Sequence, residues 1–137
     1  MKDCAPPSRE TARMPSEERP VVYSVSQSLR DIAGAIERIR AWTAEVGGLD
    51  QAIASELVQS AIERQLLIVS EAAIRIEQAE PGYGVRAAPE IDWRGVRGMG
   101  NAIQHRHQAM DHRVFHHVVG VELGPLEAAC LRLLATS

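Results

Sequence analysis

Arg97, Asn101 and His105 are separated by four residues at each step. On an α-helix that spacing stacks a permanent cation, an amide and a titratable imidazole along one face. An imidazole with a pKa near 6.5 can take a proton from a hydroxyl and return one to a leaving group. A guanidinium neutralises charge that accumulates on a phosphoryl or carboxyl oxygen, and an amide can orient the imidazole or hold an anion. Core helices rarely carry such a row, because burying charge is costly unless it is paired. The row therefore calls for solvent or a ligand. It belongs to a stretch, Trp93 to His117, that holds all five histidines, four arginines and three glycines. His105-x-His107 and His112-x3-His116 suggest metal ligation at first sight. No cysteine lies nearby, no His-Glu-x-x-His is present and Asp111 suits an N-cap, so a solvated histidine-rich surface is the simpler reading and no metal or other cofactor is expected.

The stretch resembles the signature of HepT-like proteins of the HEPN group, the toxin halves of MntA–HepT toxin–antitoxin systems. The matching residues are Trp93, Arg94, Val96, Gly98, Met99, Asn101, Ile103, His105, Asp111, Val114 and Phe115. Upstream, Arg64 to Ala72 is similar to the run R-N-L-x-x-I-G-E-A of the same proteins, with Glu71 on its acidic position. The resemblance implies an all-α, four- or five-helix up-down bundle that is HEPN-like. It implies a metal-independent endoribonuclease whose cleft is shared by a homodimer, with RNA as substrate and an MntA-like nucleotidyltransferase as antitoxin partner. His105 would be the catalytic imidazole and Asn101 its polar neighbour, with Arg94, Arg106, His107, Arg64 and Glu71 contacting substrate.

Two positions depart from the family pattern. Gly100 stands where the arginine of Gly-Met-Arg-Asn belongs, so the Arg-x4-His spacing is lost. Arg97 lies on the His105 face and is the catalytic cation in this reading, whereas Arg106 points about 100° away. His107 stands where the family has the tyrosine that its antitoxin modifies with AMP, and a histidine lacks that phenolic oxygen. These losses imply a weakened or inactive ribonuclease. The alternative is a non-catalytic helical dimer that binds a nucleotidyltransferase antitoxin or RNA. Gly100→Arg with His107→Tyr is expected to raise activity, since helix propensity favours Arg over Gly.

The elements that must position these groups are legible from apolar spacing. Val25, Leu29, Ile32, Ile36 and Ile39 predict a helix from about Val22 to Val46, stopped by Gly47-Gly48. Asp50 is expected to cap a short turn over 51–54. Ser55 opens a second long helix to about Glu80, with Leu57, Ile62, Leu66, Val69, Ala73 and Ile76 in one band and Leu67 and Ile68 on another side. Two apolar sides on one helix predict cover by a second subunit, hence a homodimer. A loop is predicted over 82–89. The Trp93 helix follows, its three glycines requiring a close backbone approach or a kink. Asp111 starts a helix to about Glu122, Gly124-Pro125 breaks it, and Pro125 begins a last helix through Leu126, Cys130 and Leu133.

Composition bounds the rest. Of 137 residues, 45% are hydrophobic and 4% aromatic, so the core must be aliphatic and rich in alanine, which suits helices. Residues 1–20 carry four prolines and no periodicity and read as a disordered tail, leaving 21–137 as one helical domain. The net charge of −3 disfavours indiscriminate nucleic-acid coating, yet Trp93 to His117 sets four arginines against Asp111. Cys4 and Cys130 form no C-x-x-C, and no apolar run is long enough to span a bilayer, so a cytoplasmic protein with reduced thiols and no membrane association is expected.

Overall fold

The computed structural model describes residues 24–104 and 111–136. The predicted tail and His105, Arg106 and His107 lie outside these residues. Helix α1 spans Val25–Glu45 and starts where Ser24 Oγ accepts the Gln27 N–H at 3.0 Å. Its inward stripe is the predicted one, with Leu29, Ile32, Ile36 and Ile39 buried. After the Gly47-Gly48 stop, α2 covers Leu49–Ala54. Helix α3 spans Glu56–Ala79 and is capped by Ser55 Oγ, which accepts the Val58 N–H. A short α4, Tyr83–Ala87, occupies the predicted loop. Helix α5 is Trp93–Gln104, α6 is His112–His117, and α7 is Leu123–Ala135. Between α6 and α7 the backbone widens into a π-helical turn, Val118–Glu122.

The architecture is all-α among the described residues, built on four long rods: α1, α3, α5 and the continuous α6–π–α7 segment. Arg38 of α1 meets Gln65 of α3, while Asp31 meets Arg75, so these two helices run antiparallel. Helix α3 lies at the centre, packed on α1 along one side and on α5 along the other. Helix α1 also packs against α7. Ile32, Ile36, Ile62, Leu66, Val69, Phe115, Leu126 and Cys130 meet in one aliphatic core. Each fully buried Leu or Ile there contributes about 1.5–3 kcal/mol. No helix among the described residues is long and apolar enough to cross a membrane.

Four expectations need correction. Gly48, not Asp50, is the N-cap of α2; Asp50 sits in the first turn, with its carboxylate 3.2 Å from His116 Nε2. The 82–89 loop winds into α4 because Glu77 accepts the Gly82 N–H and the ring of Trp93 lies against Gly84. Gly124-Pro125 does not interrupt the chain. Leu123 N–H bonds back five residues to Val118, and Pro125 is absorbed in the first turn of α7, where its missing N–H costs little. Finally, the second apolar side of α3 is covered by α5 of the same chain, which removes the packing argument for a second subunit. Leu57 and Ile74 are the large apolar side chains of α3 left exposed.

The Ser55 cap gives a direct test of the α3 start. Ser55→Ala is expected to lower stability by about 1 kcal/mol in urea unfolding, and Ser55→Asp to retain it. Equal stability of all three would mean that α3 begins elsewhere.

Candidate functional site

Helix α5 is fixed at its start by two devices. Asp92 Oδ1 accepts the Gly95 N–H at 3.1 Å, as the side chain of an N-cap does. Trp93, only 3% exposed, donates its indole N–H to the Ala88 carbonyl at 3.0 Å. Its ring rests on Gly84, where a Cβ would come within 2.8 Å of Trp93 Cγ, so the two elements meet only because residue 84 has no side chain.

Midway along α5, the hydroxyl of Ser70 from α3 enters the backbone. Ser70 Oγ accepts the Gly100 N–H at 3.0 Å and donates to the Arg97 carbonyl at 2.7 Å. Gly100 is buried, and a Cβ there would lie 2.8 Å from Ser70 Oγ and 3.5 Å from Leu67 Cδ2. This is the close approach that the glycine cluster required, but it concerns Gly100 alone. Gly95 packs beside its capping Asp92, and a Cβ on Gly98 would meet open space. Position 97 meets Ser70 and Glu77 while position 100 meets Leu67 and Ser70, so α5 runs antiparallel to α3. The register carries Arg64 toward the Gln104 end of α5.

Arg97 is half-buried, with Nη1 3.8 Å from Glu77 Oε1. Glu77 also accepts the Gly82 N–H, so one carboxylate closes the α4 turn and faces the arginine. Asn101 and Arg94 are exposed on α5, and Arg64 and Glu71 are exposed on α3. The structure thus brings Arg97 and Asn101 onto one flank of α5, while Glu71 is an exposed residue of α3 next to Ser70. His105, Arg106 and His107, which complete the predicted set, lie outside the described residues. Sequence reasoning missed Ser70 and Glu77. A serine inside the apolar band of α3 was the available signal for the first.

A model of the family described as HepT-like, Ribonuclease HepT-like, matches residues 32–133. The chain belongs to the HepT-like ribonuclease family. No curated protein and no solved structure matches it. The match extends from α1 to α7 and contains the whole of α3 and α5, so the Ser70–Gly100 contact and the Arg97 row lie in the HepT-like region.

Seen as a HepT-like site, position 100 corrects one sequence expectation. Gly100→Arg alone cannot be a simple gain, because its Cβ would collide with Ser70 before any guanidinium could reach solvent. Helix propensity, the basis of that expectation, is a few tenths of a kcal/mol and is outweighed by overpacking of about 1–3 kcal/mol.

Two of the described histidines, His116 and His117, lie in ion-pair geometry. His116 faces Asp50, and His117 Nε2 lies 3.1 Å from Glu122 Oε2. Among the described residues no group of three or more potential ligands gathers around a metal-sized space. Asp111 caps α6 by accepting the Arg113 N–H at 2.8 Å, and that bond holds its carboxyl below the usual range. Cys130 is buried, and desolvation, reinforced by Glu127, pushes its thiol up to about 12. It is therefore an inert core thiol and no nucleophile. A cavity of about 440 Å³ opens between α5, the π turn and α7, floored by Val96, Met99, Val118 and Leu126. Arg94, Arg97 and Asn101 do not line it.

Proposed function

We propose that this chain is a HEPN-type, metal-independent endoribonuclease of reduced activity, the toxin-type half of a cytoplasmic toxin–antitoxin pair. Its chemistry resides in the α5 row of Arg97, Asn101 and His105. The observation that carries this reading is the position of Arg97: a half-buried guanidinium whose backbone is anchored to α3, four residues before the exposed Asn101. In this scheme His105 exchanges a proton with the 2′-hydroxyl or the leaving oxygen, and Arg97 stabilises the phosphoryl charge. Asn101 orients the imidazole or binds phosphate, while Arg94, Arg64 and Arg106 draw the strand in. Two protomers face each other across the cleft. Arg97 is less free than a solvent-exposed arginine because Glu77 competes with phosphate for it, which accounts for the reduced rate.

The test uses labelled single-stranded RNA with EDTA present. The wild type is expected to cleave slowly and His105→Ala not at all; cleavage that needs an added divalent ion, or survives His105→Ala, would reject the assignment. Glu77→Gln keeps an acceptor for the Gly82 N–H and removes the competing charge. It is expected to raise cleavage at low salt by no more than about fivefold, the scale of a partly exposed ion pair. A fall in rate would show that Glu77 assists catalysis.

A second reading is a non-catalytic dimer that holds an MntA-like nucleotidyltransferase or binds RNA without cutting. The burial of Gly100 against Ser70 favours it, since the usual arginine has no room there. His107 lacks the phenolic oxygen that AMP transfer to that position would need. RNA affinity with no cleavage above buffer is the result that would establish this reading over the first.

A further inference from the structure

Ser70 and Gly100 stand thirty residues apart in sequence and make one steric unit. Ser70 is 1% exposed, and both hydrogen bonds of its hydroxyl go to the backbone of α5. A Cβ at position 100 would lie 2.8 Å from Ser70 Oγ and 3.0 Å from Ser70 Cβ. Rotating the hydroxyl away removes the first conflict, leaves the second and forfeits both hydrogen bonds. Removing the whole side chain leaves Leu67 Cδ2 at 3.5 Å, an ordinary contact.

We propose that Ser70 is the positioning residue of this site. It fixes α5 through the Arg97 carbonyl and the Gly100 N–H. By filling the space beside position 100 it also determines that the guanidinium of the site comes from Arg97. The sequence carries the same exchange. In the HepT-like pattern that the chain resembles, the run R-N-L-x-x-I-G-E-A laid on Arg64 to Ala72 puts glycine at position 70 and Gly-Met-Arg-Asn puts arginine at position 100, whereas this chain has Ser70 and Gly100. A small residue and a larger one have traded sides of a single contact. Ser70 and Gly100 are therefore the two sides of one structural change.

The catalytic part of this proposal rests on the ribonuclease reading, whereas its steric part does not, and the experiment separates them. Gly100→Ala is made in the wild-type background and in the Ser70→Gly background, and melting temperatures are compared within each. With Ser70 present the substitution is expected to lower the melting temperature by about 4 °C or more, as overpacking does in a domain of this size. With Ser70→Gly it is expected to raise it, because alanine is the better helix former. A shift of the same sign and size in both backgrounds overturns the proposal. In the second arm, Arg97→Ala is introduced into the wild type and into Ser70→Gly/Gly100→Arg. On labelled RNA it should cost about 10²-fold in the first and less than about twofold in the second, where position 100 supplies the cation. Equal dependence on Arg97 in both overturns the positioning role even if the melting temperatures reverse. A wild type that cleaves nothing sinks the ribonuclease reading, and the temperature reversal then decides the proposal alone.

Discussion

Arg97→Ala is expected to reduce RNA cleavage by a factor of about 10² or more, the usual scale for removing a group that meets transition-state charge. Arg97 is the only arginine of α5 that is not fully exposed. Its carbonyl is bound by Ser70 at 2.7 Å, so the guanidinium departs from a fixed backbone point. His105→Ala should be equally damaging, and the double substitution no worse than either alone, since the two groups act on one phosphoryl transition state. Arg97→Lys should recover little, because an ammonium lacks the planar fork that grips two phosphoryl oxygens. Single-turnover rates on labelled RNA provide the measurement. Robust cleavage that survives Arg97→Ala would mean that the cleft lies elsewhere on the molecule.

The largest effect on stability is expected at Trp93. Trp93→Ala should lower the unfolding free energy by about 3–5 kcal/mol, the range for emptying a large aromatic site. Part of that loss is polar. The Ala88 carbonyl accepts the indole N–H, and Ala88 is itself fully buried, so its oxygen would lose that partner. Trp93→Phe restores much of the apolar contact but no donor, and should fall between the two. Urea unfolding of the three proteins checks the order. A loss below about 1 kcal/mol for Trp93→Ala would show that α5 is held chiefly by its contacts with α3.

The long helices were legible because their apolar residues recur at intervals of three and four, and the stripe from Leu29 to Ile39 was buried as expected. Ser55 and Asp111 were legible for a different reason: a short oxygen-bearing side chain before an apolar run has few better uses than capping. Arg97 and Asn101 were legible as a row, since helical spacing alone assigns them to one flank. The partners of that row were not. Glu77 and Ser70 reach Arg97 across an interface between two helices, and no local pattern states which residues will meet there. The α4 helix was missed because its cause is also distant: Trp93 and Glu77 hold the segment from outside. Gly100 was recognised as needing a close approach, and only the structure shows that the approaching group is a hydroxyl.

The π-helical turn sets which residues face the core on either side of it. Four residues after buried Val118 an ordinary helix would bring Glu122 to the interior; the wider turn brings Leu123, which is 4% exposed, and leaves Glu122 outside beside His117. In effect the segment 118–122 accommodates an insertion of one residue without disturbing either neighbour. Deleting Gly120, which is exposed, should let the rod close into a continuous α-helix with Phe115 and Leu126 still inward. The same deletion would reshape the cavity that Val118, Val121 and Glu122 help to line. A chain one residue shorter at this point would thus keep its core while changing the hollow beside it, so an indel invisible to the packing of the bundle still reshapes its surface.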